Sequence, residues 1–440
     1  MLEQSLLSIP PVPGSIAGRS ALKALLRQRN ILAALEALHL EMGDVFRIPL
    51  PGFNPIVLVG PEANRFVTVT GRGDLRWRPE GDPVANLLRQ GLLVTDGEFH
   101  DTLRRNMTPP LHKHMLDSYV DSMWRRTDQV SSAWSSSRPV DMLVEMRKVA
   151  LLILIDALFK VDFSPDMQRL WNSILKTLAY ISPGMWVIWP GIPRPGYRQA
   201  LQAMDRYLYQ IIAARREAGS QGDDLLSLLI RTPGMSDGLI RDQLLTMLIA
   251  GHDTSTALLA WSLYLLGKHP GELKRVRAEV DQIDGRQPPN LETVNRLERM
   301  DQVIKETLRL YPPIHIGNRR AAIDLEFKGY RIPAGTRVVY SIYLSHRQEK
   351  YWPDPQRFDP DRFSPEQSQA RPHYAYVPFG GGPRNCIGLA FAQVEVKIVL
   401  ARILQNFDLE LLDTRVHPHM GATLEPRPGV LMLASPRNLH

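Results

Sequence analysis

The 440-residue sequence has one cysteine, Cys386, so no internal disulfide can staple the fold and the disulfide-framework classes are excluded. It has no apolar run near the ~20 residues that span a bilayer. The best stretch, Val149 to Phe159, is eleven residues long and contains Asp156, which reads as a buried helix and not a transmembrane anchor. The N-terminus lacks a basic n-region and its apolar stretch breaks at Pro10, which argues against a signal peptide; a soluble, cytoplasmic protein is expected. Repeats of 20 to 50 residues are absent, which excludes solenoids and propellers. Clustered charge is also missing. The 53 basic and 46 acidic residues give a formal net charge of +7, but the cations fall in pairs such as Arg104-Arg105 and Arg319-Arg320, interleaved with acids, and nucleic acid is not an expected partner. What remains is a chain 44% hydrophobic and 22% charged, able to bury a large core. Proline is in excess at 35 residues, about 8% against a usual ~5%, and implies long ordered loops.

The first hundred residues mix patterns. Ala21 to Leu40 has helical spacing, and Val45–Ile48 and Ile56–Val59 read as strands joined by the Pro49–Gly52 turn. From Gly97 to Ala218 the pattern is helical, broken by the proline-rich segment 182–195. Ser236-Asp237 then caps a helix running to Gly267, stopped by His269-Pro270. About thirty residues at 1.5 Å each make it about 45 Å long, and a helix so long and apolar must cross the middle of the molecule. Helices are expected at Gly271–Gln282, Leu291–Leu310 and Leu389–Asn406, with short strands at 325–327 and 337–340. No linker divides the chain, although its length would allow roughly three domains.

Cys386 lies in Phe379-Gly-Gly-Gly-Pro-Arg-Asn-Cys-Ile-Gly388, directly before the last helix. Glycines let backbone amides approach a sulfur and a helix N-terminus adds positive potential, both of which favour the thiolate a metal needs. A buried structural cysteine is the plain alternative; a P-loop would need Lys-Ser/Thr after the glycines. The spacing of Phe379, Gly382, Arg384, Cys386 and Gly388 closely resembles the haem-binding loop of cytochromes P450. The resemblance implies the mainly α P450 fold with a small β portion and a long central helix over haem b (iron protoporphyrin IX), with Cys386 as the axial thiolate to iron.

The resemblance extends over most of the chain. It implies one domain over 1–440, with a β-rich portion mainly within 45–70 and 314–345, helical portions at 97–310 and 389–406, and the haem-thiolate loop at 379–388. Ala250-Gly251-His252-Asp253-Thr254-Ser255 looks like the family's oxygen-activation motif. Small side chains at Ala250 and Gly251 would let the macrocycle touch the helix, Thr254 would open a local kink or water site, and Asp253 would feed protons to it. His252 has no expected role. Glu306 and Arg309 share a helix face and match the family's Glu-x-x-Arg pair, with Arg362 as third member, a structural network holding the Cys386 loop. For the haem propionates the resemblance implies His100 and Arg104, four apart on one helix, together with Arg384 and either Arg319 or Arg320.

The implied activity is a monooxygenase that inserts one oxygen atom of O2 into a small lipophilic substrate, fatty acid, terpenoid or steroid-like. Its pocket walls would be Arg72–Val94, the 182–195 loop with its Met185–Trp189 apolar cluster, the helix before Asp253, and Ile314–Ile316. With no reductase fused, electrons would come from a ferredoxin or flavodoxin with its reductase, docked on a basic face at Arg105, Lys113 and Lys397; the enzyme is expected to be a monomer. A peroxide-driven peroxygenase, or a haem-thiolate isomerase or dehydratase, is the alternative, disfavoured by Asp253 with Thr254. A non-catalytic haem sensor is a third reading that turnover would exclude.

Overall fold

The computed structural model describes residues 8–28, 30–77, 82–184, 193–413 and 415–437. Its axis is the helix Asp237–Lys268, whose N-cap Ser236 accepts a hydrogen bond from the Leu239 amide at 3.2 Å. This helix carries apolar residues on every side and is buried along most of its length, the pattern of a helix surrounded by others. It packs lengthwise on Met142–Phe159, equally apolar and begun by Asp141, whose side chain accepts from the Leu143 amide at 3.0 Å. The two approach closely at Gly251: a Cβ there would lie 2.2 Å from Leu154 Cδ1. Glu298–Leu310 and Leu389–Asn406 complete the helical core around them.

A five-stranded sheet lies beside this core in the order Val45–Arg47, Ile56–Leu58, Arg337–Ser341, Ile316–Ala321, Leu75–Arg76. Its pairs are antiparallel except Ile56–Leu58 with Arg337–Ser341. Gly317 faces Tyr340 across the sheet, and a Cβ on Gly317 would sit 1.9 Å from the tyrosine ring, so the ring covers the glycine.

The central helix, the first hairpin and the Leu389–Asn406 helix stand where the sequence places them. Three regions differ. Ala21–Leu40 is two helices, Ser15–Gln28 and Ile31–Met42, because Asn30 caps the second by accepting from the Leu32 amide at 2.9 Å. Leu291–Leu310 also divides, into Leu291–Asn295 and Glu298–Leu310. The β portion is not confined to 45–70 and 314–345: residues 61–70 are helical, with Pro61 opening Pro61–Arg65, and four strands fill the C-terminus at Phe407–Leu411, His417–Met420, Leu424–Arg427 and Leu431–Pro436. Prolines and charges mask any period there, and the last strand pairs with remote Val140–Asp141, a partner no local pattern shows. Met185–Trp189 lie outside the described residues.

Candidate active site

The Cys386 loop closes on itself where the Cys386 amide donates to the Phe379 carbonyl at 2.9 Å. Phe379 packs against the main core. Gly380 and Gly382 adopt the left-handed region at φ +73° and +62°. A Cβ on Gly382 would meet the Thr68 carbonyl oxygen at 2.3 Å, so these glycines let the loop press against Phe66–Thr70. It is the Gly388 amide that reaches the sulfur. The Cys386 side chain touches open space although protein surrounds it on nearly every side, the signature of an interior cavity wall. Burial pushes its thiol pKa up, and the Gly388 amide and the Arg104 guanidinium offset only part of that. The amides that favour the thiolate therefore act as expected but are outweighed by desolvation.

Arg104, on Gly97–Met107, is tied to this loop, donating to the Asn385 carbonyl and to Asn385 Oδ1, both at 2.8 Å. His100, one turn earlier, is buried, with Nδ1 2.8 Å from Asp101 Oδ1. Burial lowers its pKa against the pull of Asp101. Arg384 donates to the Thr95 carbonyl and pairs with Asp96 at 2.6 Å. Strand alternation separates Arg319 from Arg320: Arg319 is buried and Arg320 exposed. Arg319 lies 3.7 Å from the ring centre of Trp77, and Arg384 lies 5.3 Å from the same ring. The Trp77 Nε1–H is buried and has no partner among the described residues. Nothing in the local sequence singles out Trp77.

In the middle of the otherwise buried central helix, Ala250 is exposed and Gly251 and Thr254 are partly so. At Gly251 the direction of the missing side chain is taken by Leu154, so its smallness serves the packing against Met142–Phe159. Thr254 donates its hydroxyl to the Ala250 carbonyl at 2.7 Å. Asp253 points elsewhere and is 3% exposed. Its Oδ1 is 3.0 Å from Arg147 Nη2 and its Oδ2 accepts from the Thr423 hydroxyl at 2.8 Å. Arg147 Nη2 also contacts Glu425 at 2.9 Å, so a C-terminal strand and Met142–Phe159 together hold the acid. Ser255 donates to Glu395 Oε2 at 2.6 Å, clamping the central helix to the helix that starts at the cysteine loop. His252 is buried, its Nδ1 on the Leu248 carbonyl.

Glu306 and Arg309 are fully buried partners at 2.7 Å, with Arg362 Nε 3.5 Å from Glu306. Asp361 pairs separately with Arg299. Arg309 also donates to the His346 carbonyl at 3.0 Å, and the His346 ring nitrogen Nε2 accepts from the Val377 amide at 2.9 Å, two residues before Phe379. Burial holds His346 down to a pKa of about 3, which keeps it neutral and able to accept. The acid–arginine network thus reaches the cysteine loop through a histidine the sequence did not flag. Of the expected docking cations, Arg105 and Lys113 are exposed, but Lys397 is buried and pairs with Asp301 at 2.9 Å, so it offers no charge to a partner.

Residues 10–439 match the family described as Cytochrome P450. The chain is 32% identical over 429 residues to cyclooctatin synthase of Streptomyces melanosporofaciens, covering 94% of this chain and 91% of that protein. It is 31% identical over 433 residues to cyclooctat-9-en-7-ol 5-monooxygenase of the same organism, covering 94% and 90%. Among solved structures, the cytochrome P450DA heme domain superposes with a TM-score of 0.86 at 26% identity, covering 98% of both chains. Retinoic-acid-bound cyanobacterial CYP120A1 gives 0.84 at 27%, covering 98% of this chain and 100% of that one. Matched over nearly its whole length, this chain belongs to the cytochrome P450 family and is a haem-dependent monooxygenase.

Proposed function

We propose that the protein hydroxylates or epoxidises a lipophilic substrate of terpenoid, fatty acid or steroid-like size, with electrons from a separate ferredoxin or flavodoxin system, and that the whole chain is one catalytic unit working in the cytoplasm. The observation that carries the reading is Cys386, enclosed by protein yet open to space, on the loop before the helix that Ser255 of the central helix holds through Glu395. Substrate class rests on the relatives: one is a monooxygenase of cyclooctat-9-en-7-ol, and a structural neighbour holds retinoic acid. Their names point to alcohols and acids on hydrocarbon skeletons, which suit an apolar pocket.

The residues present fit haem. Two guanidiniums, Arg319 and Arg384, lie against an indole whose buried N–H has no partner among the described residues, a donor set suited to carboxylates. Trp77, Arg319 and Arg384 would hold the propionates, with His100 and Arg104 behind them, Arg104 through Asn385 of the cysteine loop. Cys386 would ligate the iron, whose positive charge supplies what the loop lacks for a thiolate. Phe379 and Gly388 shape the loop. Bound haem supplies the reduction of dioxygen and the oxygen transfer. The chain's own part is to exclude water, orient the substrate against Ala250, and hold a proton path. Thr254 presents a hydroxyl at the cavity wall. Asp253, held back by Arg147 and Thr423, must turn from Arg147 to relay a proton. The donor would dock on the face bearing Arg105 and Lys113.

The deciding experiment is the spectrum of the reduced protein under carbon monoxide. The family's red-shifted Soret band is expected for the native chain and its loss for Cys386→Ala. A histidine-type band in the native protein would overturn the thiolate assignment. Asp253→Asn is expected to slow product formation about 100-fold with that band intact.

A further inference from the structure

The helix Ser15–Gln28 is built inside out. Its inner face holds small residues, Ala17 and Ala21, buried against Ile31–Met42, whereas Ile16, Leu22 and Leu26 are 75%, 55% and 68% exposed. A helix serving only a core does the reverse. At 100° per residue the outer residues Leu22, Leu26, Arg19, Lys23, Ile16 and Arg27 share an arc of about 140°. Ile9 and Val12, just upstream, are exposed as well, and so are Ile31, Leu40 and Leu50. Of fourteen exposed large apolar residues among the described residues, eight therefore fall between Ile9 and Leu50. A cluster of that kind marks an interaction surface.

Charge identifies the partner. Between Gln4 and Leu35 the sequence has Arg19, Lys23, Arg27 and Arg29 and no acidic residue, in a chain whose charges are otherwise nearly balanced. Arg19, Lys23 and Arg27 are exposed and make no ion pair among the described residues. A two-fold contact with a second copy would set these cations against each other, so self-association is disfavoured. Apolar side chains interleaved with unpaired cations match a lipid surface, where hydrocarbon groups enter the headgroup boundary and long basic stems reach back to phosphates. No described helix is long and apolar enough to cross a membrane. We infer that the outer face of Ser15–Gln28, with Ile9 and Val12, docks this protein peripherally on an anionic phospholipid bilayer. The assignment is independent of the substrate reading.

The test uses the full-length haem-loaded protein, sedimented with vesicles of phosphatidylcholine alone or mixed with phosphatidylglycerol, at low and high salt. Binding to the anionic vesicles, weakened by salt, is expected. Arg19→Gln/Lys23→Gln/Arg27→Gln should weaken it on the order of 100-fold, at roughly a factor of five per cation. Ile16→Gln/Leu22→Gln/Leu26→Gln should abolish it with an unchanged melting midpoint, because all three side chains already face outward. The inference is overturned if the native protein pellets with neither vesicle, or if either variant pellets as the native does. Concentration-dependent dimers lost in the apolar variant, without vesicle binding, would reassign the face to a second copy and overturn it equally.

Discussion

Glu395 offers the sharpest test of how the interior is arranged. It is fully enclosed, takes one hydrogen bond from Ser255, and leaves Oε1 without a donor. Desolvation by burial raises its pKa from 4.5 to about 8, with the Ser255 hydroxyl opposing. The sign follows from linkage. Between pH 4.5 and about 8 the unfolded chain has released this proton and the folded chain keeps it, so stability is full in acid and falls as pH rises through that window. At about 1.36 kcal/mol per pH unit the loss approaches roughly 5 kcal/mol at the upper end, a ceiling that water penetration reduces. Glu395→Gln keeps an acceptor for Ser255 and cannot ionise. Urea unfolding of both proteins across pH 5 to 9 should give similar stabilities at the acid end, with the variant pulling ahead by up to a few kcal/mol above pH 8. Parallel stability curves would refute the assignment of a neutral buried acid.

Gly251→Ala should lower stability by about 1–3 kcal/mol through overpacking, because its Cβ falls 2.2 Å from Leu154 Cδ1; urea titration checks this, and Leu154→Ala in the same chain should recover part of the loss. Glu306→Gln leaves the fully buried Arg309 without its counter-ion and should cost about 3–5 kcal/mol, seen as a lower melting midpoint. Trp77→Phe keeps a ring beside Arg319 and Arg384 but removes the N–H that has no partner among the described residues; haem transfer to a scavenger protein should speed up about tenfold, what one charge-assisted hydrogen bond of ~1.5 kcal/mol provides. Unchanged transfer would remove Trp77 from the propionate site.

Chemistry carried by a short spacing was legible in the chain alone. The cysteine loop, the Ala250–Ser255 segment, the Glu306–Arg309 pair and the long central helix each have a local signal, a motif or a 3.6-residue period, and the structure has each in its expected place. Tertiary structure decided what depends on partners remote in sequence. It turned Gly251 toward Leu154, gave Asp253 to Arg147 and Thr423, buried Lys397 on Asp301, buried Arg319 while leaving Arg320 exposed, and put Trp77 beside two arginines. It also decided which effect prevails at Cys386, where desolvation, a property of the whole surrounding chain, pushes the thiol pKa up against the amides that a loop sequence advertises. A sequence specifies which groups are available; which of them face each other, and how dry the space between them is, follows only from packing.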